Sequence, residues 1–265
     1  MTLRKGYSDG PEGQIHWRMA GHGAGSAHPD LYCFSPAPFG SIAFQTLLPH
    51  LAQGRHVIAP DYPGQAGSEG GSVQPSIEDY ATSMRAVMKD LSQEGPVDVL
   101  GFHSGCLVAA EVKLQACEGV RRVTLIDVPA FDPETRAKYL PMVGQPFELS
   151  SDLESLAKAW DMAVSKRLET QSLEHSLAMF ADTVGNGPRM NATFHAAFTY
   201  EVEAKLAQLD GATTVIATQS SLLEPSRRAA TFIPECTLVE LLEIKRSVLD
   251  EHARQTAAAV LSRLN

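Results

Sequence analysis

Two hydrophobic rhythms alternate along the chain. Short runs rich in β-branched and apolar residues, bounded by turn formers, read as strands over Gln14 to Met19, Asp30 to Phe34, His56 to Ala59, Val97 to Leu100, Arg122 to Ile126, Thr213 to Thr218 and Thr237 to Leu242. Between them, apolar residues recur at helical spacing over Ile42 to Leu51, Ser76 to Leu91, Leu107 to Ala116, Pro225 to Phe232 and Glu251 to Leu264, where Ala257, Val260 and Leu261 share one side. Several strand runs are almost wholly apolar, as strands covered on both faces should be. The alternation predicts an α/β fold, a mostly parallel sheet with helices packed on its faces.

The alternation stops from about Asp132 to Leu209. That stretch carries helical patterns at Ser151 to Leu168, Thr170 to Ala181 and Asn191 to Leu206, and no convincing strand. Helices inserted between two strands of a parallel sheet often cover a site at the strand C-termini, where open α/β sheets bind ligands. The expected organisation is a core of residues 1–131 and 210–265 with a helical cap, or lid, of residues 132–209; an ordinary helical subdomain is the alternative. Trp160, Met162, Met179 and Phe180 read as lid core rather than a cofactor box. His195, set among aromatics in Phe194 to Tyr200, reads either as a substrate contact or as a packing histidine.

Composition narrows the class. With 265 residues, 44% of them hydrophobic and 20% charged, the chain can bury a sizeable core. A formal net charge of −9 repels nucleic-acid phosphates and anionic lipid surfaces, which argues against nucleic acid and membrane as partners. No window approaches the roughly 18 to 20 consecutive apolar residues of a membrane span, and the first residues show no apolar run after their basic ones; a cytoplasmic location is expected. Cys33, Cys106, Cys117 and Cys236 are widely separated, with no CxxC pair, and read as free, mostly buried thiols. His22 and His28 lie in a Gly/Ser/Ala-rich loop without ligand spacing. The glycine-rich stretches Gly21 to Gly25 and Gly64 to Gly71 lack the strand-then-helix setting of a nucleotide site. Neither metal nor cofactor is expected.

The chemistry concentrates where Val97-Asp98-Val99-Leu100-Gly101-Phe102-His103-Ser104-Gly105-Cys106 leads at once into an apolar helix. Strand, tight turn and helix make the setting of a nucleophile elbow, in which small residues two before and two after the apex let strand and helix pass closely. Ungapped, G-x-S-x-G over Gly101 to Gly105 puts His103 at the apex and Ser104 one residue later. Were Ser104 the apex, Phe102 would crowd the turn.

With this elbow, the chain resembles the α/β-hydrolase fold family over nearly its whole length. Gly13-Gln14-Ile15-His16-Trp17-Arg18 resembles the family's opening strand, and Ser35-Pro36-Ala37-Pro38-Phe39-Gly40-Ser41 its oxyanion loop. Ala59-Pro60-Asp61-Tyr62-Pro63-Gly64-Gln65-Ala66-Gly67-Ser68 is similar to the D-x-x-G-x-G-x-S turn. The resemblance implies an eight-stranded, mostly parallel sheet, a helical lid before the last two strands, and hydrolysis without a cofactor by a serine that a histidine activates. It also implies oxyanion donors, here the backbone N–H groups of Ser104 and Ala37, with Ser35 at the head of the same loop.

The family's other positions are filled unusually. Ser221 stands where the acid follows the strand after the lid, and Arg246, with Lys245 beside it, where the histidine follows the last strand. A serine cannot supply the charge that stabilises an imidazolium, and a guanidinium cannot act as a general base. Asp127, closing the strand after the elbow, could orient His103 or merely cap the turn; His252 could supply the missing imidazole or simply begin the last helix. Glu224 and Glu243 flank the altered positions as candidate carboxylates or solvated residues.

Three readings follow. The first is an enzyme acting on a small carbonyl- or ester-type substrate with His103 as general acid or base, in hydrolysis or in lyase- or cyclase-type chemistry. The second is a conventional serine hydrolase of an ester, lactone or C–C bond, using Ser104 with displaced partners. The third is a non-catalytic protein that keeps the pocket to bind a small ligand or a partner. Arg246 or Lys245 would place a cation in the pocket, favouring a small substrate that carries a carboxylate or enolate. Oligomeric state is not written in the sequence, though homodimers are the commonest arrangement.

Overall fold

The computed structural model describes residues 3–21, 27–92, 95–148, 150–151 and 153–265, the side chains of Cys117 and Ser155 excepted. Eight strands lie among them: β1 (Arg4–Gly10), β2 (Gly13–Ala20), β3 (Leu31–Phe34), β4 (Val57–Pro60), β5 (Val97–Phe102), β6 (Val120–Ile126), β7 (Thr213–Thr218) and β8 (Thr237–Leu241). They form one sheet in the order β1-β2-β4-β3-β5-β6-β7-β8. The β1–β2 and β2–β4 pairs are antiparallel and all others parallel.

Seven strands lie within two residues of their expected limits; β1 is the addition. It is an edge strand in which only Ser8 is buried, so it carries no apolar alternation to read. What holds it is Trp17 of β2, whose indole covers Gly6 and whose Nε1–H donates to Ser8 Oγ at 3.1 Å.

The helices are α1 (Leu48–Leu51), α2 (Ile77–Leu91), α3 (Gly105–Ala116), α4 (Pro133–Val143), α5 (Glu154–Trp160), α6 (Leu173–Gly185), α7 (Ala192–Thr199), α8 (Val202–Leu206), α9 (Leu223–Phe232) and α10 (Ala253–Leu264). Strand alternation divides the core into two layers. Tyr32, Phe34, Val97 and Val99 face α2 and α3 on one side of the sheet. Leu31, Cys33, Leu100 and Phe102 face α1, α6 and α10 on the other. Cys33 and Cys106 are buried free thiols and Cys236 is half-buried; the Cys117 side chain and His22 lie outside the described residues.

Helices α4 to α8 all fall between β6 and β7. α4 was not expected, because none of its residues is buried; its signal is Asp132-Pro133, an N-cap whose carboxylate accepts the Thr135 N–H at 2.8 Å, followed by proline in the first turn. The pattern over Asn191 to Leu206 corresponds to two helices, not one. They part at Tyr200, extended and buried, whose hydroxyl donates to Glu111 Oε2 on α3 at 2.8 Å. Ile42 to Leu51 is likewise a 3₁₀ turn at Ser41–Phe44 and then the single turn of α1. Among the described residues, no helix is long and apolar enough to cross a membrane.

Candidate active site

β5 turns into α3 through His103 and Ser104, and His103 takes the left-handed conformation with φ of 51°. Such a backbone in a non-glycine residue costs free energy that its surroundings must offset. The His103 N–H donates to Ile126 O at 3.0 Å, and its carbonyl accepts the Cys106 N–H at 2.9 Å. The flanking glycines allow the approach. A Cβ on Gly105 would lie 2.6 Å from the Phe34 carbonyl carbon, and one on Gly101 2.5 Å from the Cys106 Cα.

The two elbow side chains diverge. The His103 imidazole stacks on Phe102, ring centres 3.9 Å apart, and faces a cavity of about 470 Å³. The ring is 40% accessible and lines this cavity. Desolvation, reinforced by the positive charge of Arg167, pushes its pKa down to about 4, so the ring is neutral at pH 7. Ser104 is buried, and its Oγ accepts the Ala37 N–H at 2.7 Å. The Ala37 N–H expected at an oxyanion is therefore engaged by the serine hydroxyl.

The loop carrying Ala37 is pinned from below. Asp61, in the turn after β4, accepts the N–H groups of Ser41 at 2.5 Å and Gly67 at 3.2 Å and lies 2.7 Å from His16 Nδ1. Ser35 is fully buried; its carbonyl accepts the Tyr62 hydroxyl at 3.0 Å, and the residue does not line the cavity.

Asp127, the residue after β6, takes the same left-handed conformation, φ 53°, and lines the cavity with its side chain buried. Its carboxylate accepts the Thr218 N–H at 2.8 Å and the Thr218 Oγ1–H at 2.6 Å. Burial pushes this carboxyl up, against the opposing hydrogen bonds from Thr218 and Ser220. Asp127 Oδ2 lies 4.0 Å from His103 Nε2, close enough for charge to be felt but too far for a hydrogen bond.

Ser221 lines the cavity beside Ser220. After β8 the arrangement differs from expectation. Lys245 and Arg246 stand exposed at the rim, and Arg246 pairs with Glu169 at 2.8 Å. Asp250 turns inward instead, accepting from Thr46 Oγ1 at 3.2 Å and Gln171 Nε2 at 3.3 Å, with His175 Nε2 at 3.5 Å. Burial pushes the Asp250 carboxyl up and the His175 imidazole down. The inner cation is Arg167, from the segment between β6 and β7. Sequence reasoning passed over both: Asp250 reads as the start of the last helix, and Arg167 falls within the helical pattern Ser151 to Leu168 with nothing to single it out.

Two sequence candidates stand apart from this cluster. His195 packs within the inserted segment, its Nδ1 3.2 Å from Gly144 O, and His252 precedes α10; neither lines the cavity. Glu224 pairs with Arg227 at the surface and Glu243 bonds Gln255. Met162 and Met179, expected as lid core, line the cavity wall, whereas Trp160 and Phe180 pack edge to face at 5.3 Å.

A family model described as alpha/beta hydrolase fold matches residues 23–207. A search of curated proteins returned no match. Solved structures are similar over nearly the whole chain. A hydrolase from Pseudomonas aeruginosa PA01 is 17% identical, with TM-score 0.78 and 98% of each chain covered. The enol-lactonase from Burkholderia xenovorans LB400 is 18% identical, with TM-score 0.76 over 98% of this chain and 99% of the other. A carboxylesterase from Bacillus subtilis is 16% identical, with TM-score 0.73 over 100% and 92%. With the matched residues spanning strands β3 to β6 and the elbow between them, this chain belongs to the α/β-hydrolase fold family.

Proposed function

We propose that the chain is an enzyme acting on a small carbonyl- or ester-type substrate in the cavity between sheet and inserted helices, and that His103, not a serine, moves the proton. The observation that carries this reading is the divergence at the elbow: the imidazole faces the cavity while the Ser104 hydroxyl is held by the Ala37 N–H. Residues 132–209 act as the cap, and residues 1–131 and 210–265 form the core that presents the elbow.

The neutral imidazole takes a proton from the substrate or from an attacking water and returns it to the product. Asp127 is the positioning residue. As substrate displaces water, its 4.0 Å gap to Nε2 can shorten to a hydrogen bond that stabilises the imidazolium. Ser104 has no such support: His252 does not line the cavity, and the His103 ring faces the cavity while the Ser104 hydroxyl is held by the Ala37 N–H.

A panel of p-nitrophenyl esters, enol-lactones and β-keto acids tests the assignment. Turnover is expected to fall by about 10²- to 10⁴-fold in His103→Gln and to change little in Ser104→Ala. Labelling by a fluorophosphonate that is lost in Ser104→Ala and kept in His103→Gln would overturn it. One observation favours a non-catalytic, ligand-binding reading: an imidazole with its pKa near 4, lacking a hydrogen-bonded carboxylate, is a weak base. That reading gains if ligands bind but neither substitution alters any turnover.

A further inference from the structure

The charged groups around the cavity are not equally engaged. Lys166 is exposed and pairs with Asp161 at 2.6 Å, Arg246 pairs with Glu169, and Lys245 stands exposed at the rim. The inner carboxylates are also supplied, Asp127 by Thr218 and Asp250 by Thr46 and Gln171. Arg167 is different. Its Nε donates to the Met162 carbonyl at 3.1 Å, and its guanidinium carbon lies 4.8 Å from the centre of the Phe39 ring. Among the described residues, no carboxylate lies within 4.0 Å of it; the charge of Asp250 is felt from farther off. A guanidinium does not shed its proton, so a desolvated one without a carboxylate in contact leaves a charge that an anion in contact would balance. With Nε engaged, the two Nη groups keep the donors that match a carboxylate.

The rest of the wall limits what that anion carries. Phe39, Phe102, Met179, Val248 and Leu249 are apolar, and about 470 Å³ admits a small organic molecule but no polymer.

We infer that Arg167 is the specificity-determining residue of the cavity, gripping a carboxylate or enolate oxygen of an apolar organic anion whose body lies against Phe39 and whose reacting carbon faces His103. This rests on the cavity being a substrate site and adds the charge class of the substrate and the residue that selects it. It also couples binding to chemistry. The positive field of Arg167 disfavours the imidazolium of His103, and a bound anion cancels that field, so the substrate makes its own base stronger. Besides Arg167, the charged groups lining the cavity around His103 are Asp127 from β6, Asp250 and Lys245 from the stretch after β8, Lys166 from the insert and Arg246 at the rim.

Calorimetric titration of the full chain with phenylacetate and with uncharged phenylacetamide, at neutral pH and fixed ionic strength, tests the inference. Phenylacetate is expected to bind at least about tenfold tighter, the value of one charge-assisted contact. Arg167→Gln should erase the preference, Arg167→Lys should keep part of it, and Arg246→Gln should leave it intact. Where Arg167→Gln fails to fold, Arg167→Met, which keeps an apolar stem on Phe39, takes its place. An NMR titration of the His103 ring should show its pKa rising when phenylacetate is bound, and no rise in Arg167→Met. Equal affinity for the two probes, no binding of either, or a preference that survives Arg167→Gln overturns the inference. Its fate is separable from that of the enzymatic reading. His103→Gln should cut turnover by about 10²- to 10⁴-fold while keeping the preference for phenylacetate, and a preference without turnover of any substrate sinks only the enzymatic reading.

Discussion

Two strand-to-helix junctions lie at the same C-terminal end of the parallel strands, β5 to α3 and β8 to α10, and they are held by opposite means. Each contains a non-glycine residue in the left-handed region, His103 with φ 51° and Ser247 with φ 53°. The first junction is only two residues long and is fixed by backbone: Gly101 and Gly105 admit the close pass, and backbone hydrogen bonds to Ile126 of the neighbouring strand and to Cys106 orient the apex. The second runs over residues 242–252 and is fixed by side chains from elsewhere. Ser247 Oγ donates to Thr170 Oγ1, Asp250 is held by Thr46 and Gln171, and Thr256 Oγ1 donates to Val248 O at 2.8 Å. A tight junction dictates which side chain enters the cavity from its own few residues. In a long one, distant partners decide.

The largest expected effect comes from breaking the tight junction. Gly105→Ala drives a methyl into the Phe34 carbonyl, and because both sides of the contact are backbone, nothing nearby can rotate away. A loss of at least about 3 kcal/mol in urea unfolding, or no soluble folded protein, is expected. A near-neutral result would mean that the pass between strand and helix is not under constraint. Next comes the pair at the apex. His103→Gln should keep the fold and lose turnover by about 10²- to 10⁴-fold. Ser104→Ala should do the reverse, costing about 1 kcal/mol by stranding the Ala37 N–H while leaving turnover nearly intact. An exchange of these two outcomes would restore serine chemistry.

The same contrast explains what the sequence could tell. Gly101-Phe102-His103-Ser104-Gly105 favours His103 at the apex from sequence alone, because with Ser104 there Phe102 would crowd the turn. Strands β3, β4, β5 and β7 were readable for a related reason: every residue in them is buried. Edge strand β1 and exposed helix α4 bury almost nothing, so no periodicity marks them. After β8, counting positions pointed to Arg246, but the side chains turned inward are set by Thr46, Gln171 and His175, which lie far away in sequence. Arg167 is hidden for the same reason. Its neighbour across the cavity, Phe39, is over a hundred residues away, and only the folded chain brings them together.

A smaller effect, read as a pH dependence, tests whether the apex imidazole is desolvated as its position requires. The folded pKa of His103 lies near 4 against an unfolded value of 6.5, so between those limits the unfolded chain binds more protons. Stability contributed by the neutral ring is therefore complete above about pH 6.5 and is lost as pH falls through 4. His175 acts in the same sense; Asp127 and Asp250, whose carboxyls are pushed up, act in the opposite sense. The difference between wild type and His103→Gln removes these shared contributions. On acidification, wild type should lose stability relative to the variant, by a modest amount because the ring keeps access to the cavity. A flat difference across that range would mean an imidazole as well solvated as one on the surface.

The smallest effect is expected at the position where counting along the chain promised a large one. Arg246 stands where counting along the chain expects the family's histidine, yet it is exposed, and it pairs with the equally exposed Glu169. Such pairs contribute roughly 0 to 1 kcal/mol and are screened by salt. Arg246→Gln should therefore shift the melting midpoint by no more than a degree or two, on the order of 0.5 kcal/mol, and leave turnover and anion preference unchanged. A tenfold or greater loss of either would show that the long junction closes over bound substrate and carries Arg246 from the rim into the cavity. The two junctions would then differ in mobility as well as in construction, with the backbone-fixed elbow as the anvil and the stretch after β8 as the moving part.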